Sequence, residues 1–221
     1  MTREAYHRAL KELEGEMMER GGTVIKVVRD SIEALEKRDF EKSREIIKND
    51  RLINRKRFDI EERCILLMAT QQPMAGDLRI LTAILNIITD LERIGDHAEG
   101  NAKINLLIGD APLVKPLIDI PRMVEAASNM LEECLKAFVD RDVEKAKKIG
   151  GMDDVVDALY EQIYRELLLM MIEDPKKIQG ATYLIWVAHN MERIADRATN
   201  IAERIVFMVT GKMEEMNVSS Y

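Results

Sequence analysis

The chain has 221 residues, of which 47% are hydrophobic, 33% charged and only 5% aromatic, with a net charge of −7. That length suits one or two domains, and the composition is that of a helical globular protein. Few aromatics leave no stacking platform for single-stranded nucleic acid, and the acidic balance argues against a nucleic-acid-binding face.

From about Arg3 to Lys37 an apolar stripe of Leu10, Leu13, Met17, Val24, Val27, Val28, Ile32 and Leu35 predicts a helix. Gly21-Gly22 interrupts it, and two glycines weaken a helix by roughly 2 kcal/mol against alanine, so a bend or loosened turn is expected there. Asp39 reads as the N-cap of a second helix reaching about Thr70, with Glu41 in its first turn. Pro73 closes the turn, and a third helix carries Leu78, Leu81, Ile84, Leu85, Ile88 and Leu91 to about Ile108. Gly109 to Pro116 is the only stretch with linker character. A fourth helix then runs from about Pro121 to Val139, Asp142 caps a fifth that ends before Pro175, and a sixth runs from about Ile178 to Thr210. The last ten residues are polar and expected to fray.

The halves repeat. Ala34–Asp50 aligns without gaps to Ala137–Asp153, pairing Asp39 with Asp142, Glu41 with Glu144 and Lys42 with Lys145. Leu91-Glu92-Arg93-Ile94-Gly95-Asp96-His97-Ala98 returns 100 positions later as Met191-Glu192-Arg193-Ile194-Ala195-Asp196-Arg197-Ala198. The fold expected is all-α: two tandem, similar three-helix bundles with six long helices, the first over residues 1–110 and the second over 117–221.

Candidate chemistry lies where the stripe Leu81, Leu85, Ile88 of the third helix continues into Glu92, Asp96 and Glu99. Acids four apart share a helix face and repel by a few tenths of a kcal/mol, so writing the pair twice implies a role. The sixth helix continues likewise into Glu192, Asp196 and Thr199, with Asn200 four beyond the aspartate. Asp50 and Asn54 on the second helix match Asp153 and Asp157 on the fifth, where Glu161 follows. If these helices face each other, carboxylates from two helices converge, and buried carboxylates stay charged only beside something positive. Arginine and lysine can supply it, leaving a metal-free helical scaffold, or a metal can. An all-oxygen set suits magnesium, manganese or iron. His189 lies on the Glu192 face but is matched by Thr89, so packing is the expected role; His97, matched by Arg197, is expected on the surface. A carboxylate-bridged di-iron enzyme wants Glu-x-x-His on two helices, and this chain has one such pair, Glu4 and His7. No glycine-rich phosphate loop, nucleophile elbow or zinc spacing is present, and the methionines read as core filling. Cys64 and Cys134 stand alone in helical sequence and read as reduced core residues. No run approaches the roughly 18 apolar residues of a membrane span, and Met1–Tyr6 lacks a signal peptide's apolar segment, so a cytoplasmic protein without membrane insertion is expected.

The doubled Glu-Arg-Ile-x-Asp stretch resembles the PhoU family of phosphate-transport regulators, as do Asp77-Leu78-Arg79 after Pro73, Asp50-x-x-Ile53-Asn54 and Asp153-x-x-Val156-Asp157. The resemblance spans nearly the whole chain. It implies a six-helix, cytoplasmic, often dimeric and non-enzymatic protein that binds metal ions, including multinuclear iron clusters, through Glu/Asp-x-x-x-Asp motifs. It further implies negative regulation of phosphate uptake and of the phosphate-starvation response, by coupling the phosphate-specific ABC transporter to a phosphate-sensing histidine kinase. Carried onto this chain, the metal positions are Glu92, Asp96, Glu192 and Asp196, with Asp50, Asn54, Asp153 and Asp157 facing them and Asn200 as a further ligand in the second set. The family's asparagine four after the aspartate is present as Asn200, whereas the first copy has Gly100 there and Asn101 one step on. Asn54 also removes a charge that Asp157 keeps, so the second bundle is expected to bind metal more tightly.

Overall fold

The computed structural model of the chain describes residues 3–216 and, of these, all side chains but 51–53. Met1 and Thr2 of the amino-terminal stretch, and residues 217–221 of the expected fraying tail, lie outside the described residues. Its helices are α1 (Arg3–Lys37), α2 (Phe40–Gln71), α3 (Ala75–Ile108), α4 (Asp119–Asp140), α5 (Val143–Gly150), α6 (Asp153–Glu173) and α7 (Ile178–Thr210), with a 3-10 turn at Pro175–Lys177. Helices α1–α3 pack together, as do α4–α7, and the two groups meet along α3 with α7 and α1 with α4.

Both aspartate caps form: Asp39 accepts from the Lys42 N–H and Asp142 from the Lys145 N–H, each at 2.9 Å. The residue before each cap, Arg38 (φ 57°) or Arg141 (φ 55°), is left-handed. That conformation costs a non-glycine residue roughly 1 kcal/mol. Both guanidiniums are tied down: Arg38 donates to Asn105 Oδ1 (2.8 Å) and to the Gly109 and Ala111 carbonyls, and Arg141 to Glu14.

The expected fifth helix is two segments. The chain breaks at Gly151-Met152, where paired glycines give little helical stability and the tail crosses: a Cβ on Gly150 would lie 2.9 Å from Met216 Cβ. Residues 211–216 accordingly do not fray. The Met216 N–H donates to Glu203 at 3.0 Å, and Glu214 pairs with Lys147 at 2.7 Å. At Gly21-Gly22, where a bend or loosened turn is expected, the helix is not interrupted and α1 is one element. Gly21 serves close approach instead, since a Cβ there would meet Leu135 Cδ2 of α4 at 2.5 Å.

One hydrophobic core runs through both halves, and Cys64 and Cys134 are buried, unpaired members of it. Its spine is the α3–α7 contact, where Asn190 donates to the buried Asn101 Oδ1 at 2.9 Å. Across this seam Arg197 donates to Asp90 at 3.4 Å. At the matching place His97 Nδ1 lies 3.2 Å from Asn190 Oδ1, so His97 is a half-buried seam residue and not a surface one. No helix of the described residues is long and apolar enough to cross a membrane.

Candidate functional site

Two acidic faces form, one per bundle. In the first, Asp50 from α2 is buried, and burial together with Glu99, Asp96 and Glu92 from α3 pushes its carboxyl up to about 6, with Lys103 opposing. Asn54 Nδ2 donates to Asp50 Oδ2 at 2.9 Å. In the second face Asp157 of α6 is raised by burial and then by Glu192, Asp196 and Asp154, with Arg193 opposing. Asp196 is also raised, first by burial; Arg193 opposes and Glu192 adds to it. Asp153 and Glu192 are buried, the former in the first turn of α6, where the helix dipole favours its charge.

The expected convergence of α2 with α3 and of α6 with α7 is therefore present. Glu161 is exposed and pairs with Arg165 instead. Asn200 bonds the Asp90 carboxyl on α3. Glu4 and His7, the one Glu-x-x-His pair, are exposed on the first turns of α1. His189 Nδ1 lies 3.0 Å from Glu192 Oε2 and its ring is 6.1 Å from that of Tyr160.

Each face carries the same surface arginine. Arg93 lies 3.3 Å from Asp96 and 3.6 Å from Glu92; Arg193 lies 2.9 Å from Asp196 and 2.8 Å from Glu192. Both are over a third exposed, so these pairs are weakly held and can open. Among the described residues no three His, Cys, Asp or Glu side chains stand close enough together to share an ion.

The faces differ inside. In the first, Arg20 of α1 is 5% exposed, and the Arg57 guanidinium of α2 forms ion pairs with Glu92 Oε1 at 3.3 Å and Glu61 Oε1 at 3.2 Å. Burial lowers the Arg20 pKa, with Arg57 adding to it, while Glu92, Asp50 and Glu61 raise it. Asp50 Oδ1, Asn54 Oδ1, Glu92 Oε2 and Arg57 Nε have no hydrogen bond, a mixture of acceptors and a donor that water can bridge. In the second face the buried Thr199 hydroxyl, one turn beyond Asp196 and in the register of Glu99, has no hydrogen bond. An oxygen-only set with a spare buried hydroxyl fits a hard cation; a set threaded by two internal guanidiniums fits one less well. Sequence reasoning missed Arg20 and Arg57, because neither is repeated, and left Glu99 out of the ligand set for the same reason.

A family model described as "PhoU domain" matches the chain twice, over residues 17–104 and 120–205. The chain is 39% identical over 98% of its length to a phosphate-specific transport system accessory protein PhoU homolog of Clostridium acetobutylicum, covering all of that protein. It is 40% identical to the Aquifex aeolicus homolog of the same description, over 93% of this chain and 95% of that one. Crystal structures of PhoU from Streptococcus pneumoniae and Pseudomonas aeruginosa superpose with TM-scores of 0.88 and 0.89 at 31% identity, covering 95% and 94% of this chain and 99% and 100% of theirs.

Proposed function

The chain belongs to the PhoU family, and we propose that it restrains phosphate uptake and phosphate-starvation signalling through protein contacts with a phosphate-specific ABC transporter and a sensor histidine kinase. The description of its relatives as accessory proteins of the phosphate-specific transport system supports the first partner. The kinase, a homodimer and a cytoplasmic location follow the family resemblance. The role is regulatory, not catalytic.

The observation that carries the reading is the pair of acidic faces, each joining carboxylates from two helices at the cost of raised carboxyl pKa values. An ion of iron, manganese or magnesium would supply the missing positive charge. In the second bundle Asp153, Asp157, Glu192 and Asp196 would hold it, with Thr199 beside them. In the first the corresponding residues are Asp50, Asn54, Glu92 and Asp96, with Glu99. These residues bind and orient; they tie α6 to α7, or α2 to α3, and so fix the shape of the surface a partner meets.

The test is phosphate uptake in cells lacking the native protein and supplied with this chain or its Asp157→Asn/Asp196→Asn variant. The unsubstituted chain is expected to restore restraint of uptake and the variant to lose it. Equal restraint by both would overturn the role given to the acidic face.

A further inference from the structure

The repeat gives every residue of the first face a counterpart in the second. At the offset that pairs Asp50 with Asp153, Arg20 corresponds to Met123 and Arg57 to Tyr160. The correspondence holds in three dimensions, since Met17, Arg20, Gly21, Val24 and Val28 of α1 and Ile120, Met123, Val124, Ala127 and Leu131 of α4 are buried in the same rhythm. The acids balance as well. Glu99 at the position of Thr199 restores the charge lost with Asn54 at the position of Asp157, leaving four carboxylates around each face. Glu61, which pairs with Arg57, has Tyr164 as its counterpart, so beyond these four acids the faces differ in their fixed cations and in the one glutamate that accompanies them.

We propose that Arg20 and Arg57 occupy the electrostatic place of a metal ion in the first bundle, so that the second face is the chain's principal cation site. This rests on the metal-binding part of the proposed function and assigns that binding to one face. Arg57 points its guanidinium at Glu92 and Glu61 with its side chain 18% exposed, and it also lies 4.7 Å over the Phe58 ring. Arg20 is more deeply placed, with Glu92, Asp50 and Glu61 as its acidic neighbours. Neither can swing into solvent as Arg93 can, because a buried charge deprived of its partner is costly. Lys103 adds a third cation at 2.5 Å from Glu99, where the second bundle has Glu203. Across the second face stand Met123, fully buried, and the uncharged ring of Tyr160. The guanidinium ion-paired with its acids is Arg193 at the surface, which can leave when an ion arrives, while Arg197 acts on Asp196 from the α3–α7 seam, where it is held by Asp90. Thr199 supplies an oxygen with no other bond. Bringing a divalent cation into the first face means placing it beside two guanidiniums in a poorly screened interior.

Equilibrium dialysis against manganese(II) tests this on the full chain in a background where Asp157→Asn and Asp196→Asn disable the second face. With the arginines intact, that background is expected to bind no manganese at concentrations that saturate the unsubstituted chain. Adding Arg20→Met and Arg57→Tyr, the residues of the other repeat, is expected to create binding tighter by about tenfold or more. Circular dichroism reports whether this chain folds. If it does not, Arg57→Gln alone serves, with the same gain expected in smaller degree. Two results would overturn the proposal: manganese bound by the background with an affinity near that of the unsubstituted chain, or no binding by the folded arginine variant. Failure of the unsubstituted chain to bind manganese counts against the metal-binding function itself, whereas the gain is scored wholly within the disabled background.

Discussion

Asp50→Asn should stabilise the metal-free protein, by an amount that grows from about pH 4 and is complete above about pH 6. The Asp50 carboxyl rises from 3.8 to about 6 because it is buried and faces Glu99, Asp96 and Glu92, with Lys103 opposing. An acid whose folded pKa is raised makes the native state bind more protons than the unfolded state between those values, so stability falls as pH rises through that window. At 1.36 kcal/mol per pH unit, the difference between 3.8 and about 6 amounts to about 3 kcal/mol of destabilisation once Asp50 is ionised. Asparagine keeps an oxygen to accept the 2.9 Å bond from Asn54 and carries no charge. Urea unfolding of both proteins in chelator, at pH 4 and pH 8, isolates the effect as a difference of differences. The variant is expected to match the parent at pH 4 and exceed it at pH 8 by up to about 3 kcal/mol. A variant less stable at pH 8, or an advantage equal at both pH values, would refute the reasoning, because the carboxylate would then be a satisfied partner of Arg20.

Thr199→Val removes a buried hydroxyl with no hydrogen bond and should raise the stability of the metal-free chain by about 1 kcal/mol while weakening manganese binding, both read from melting curves with and without the ion. Asp196→Ala should cost more bound metal than Asp96→Ala, as elemental analysis of the two variants can show; the opposite order would reverse the ranking of the faces. Asn105→Ala should destabilise by about 2–3 kcal/mol in chemical unfolding. Its side chain donates to the Ala34 carbonyl (3.0 Å) and Ser43 Oγ (2.9 Å) and accepts from Arg38, joining the α1–α2 turn to the end of α3. A loss under 1 kcal/mol would mean that water replaces the amide there.

The helices could be read from the sequence because long apolar stripes and two aspartate caps point to the same boundaries, and α1, α3 and α7 end where periodicity places them. The glycine pairs were harder to read, because propensity is local and their outcome is not. Gly21-Gly22 stays helical with Leu135 of α4 packed close against Gly21, whereas α5 ends at Gly150, against which Met216 of the returning tail packs. The acids were legible through their repetition and spacing. Arg20 and Arg57 were not, since each lies on a different helix from the acids of α3 and neither has a charged counterpart in the repeat. His97 was misplaced for a related reason: periodicity puts it off the acidic stripe but does not reveal that a second bundle covers that side.

The most direct test of the acidic faces as ion sites is the metal content of the purified protein by elemental analysis, beside its Glu192→Gln/Asp196→Asn variant. Stoichiometric iron, manganese or magnesium in the parent, lost from the variant, is the expected result. Equal metal in both, or none in the parent, would return these carboxylates to the arginines and leave the regulatory role resting on family membership.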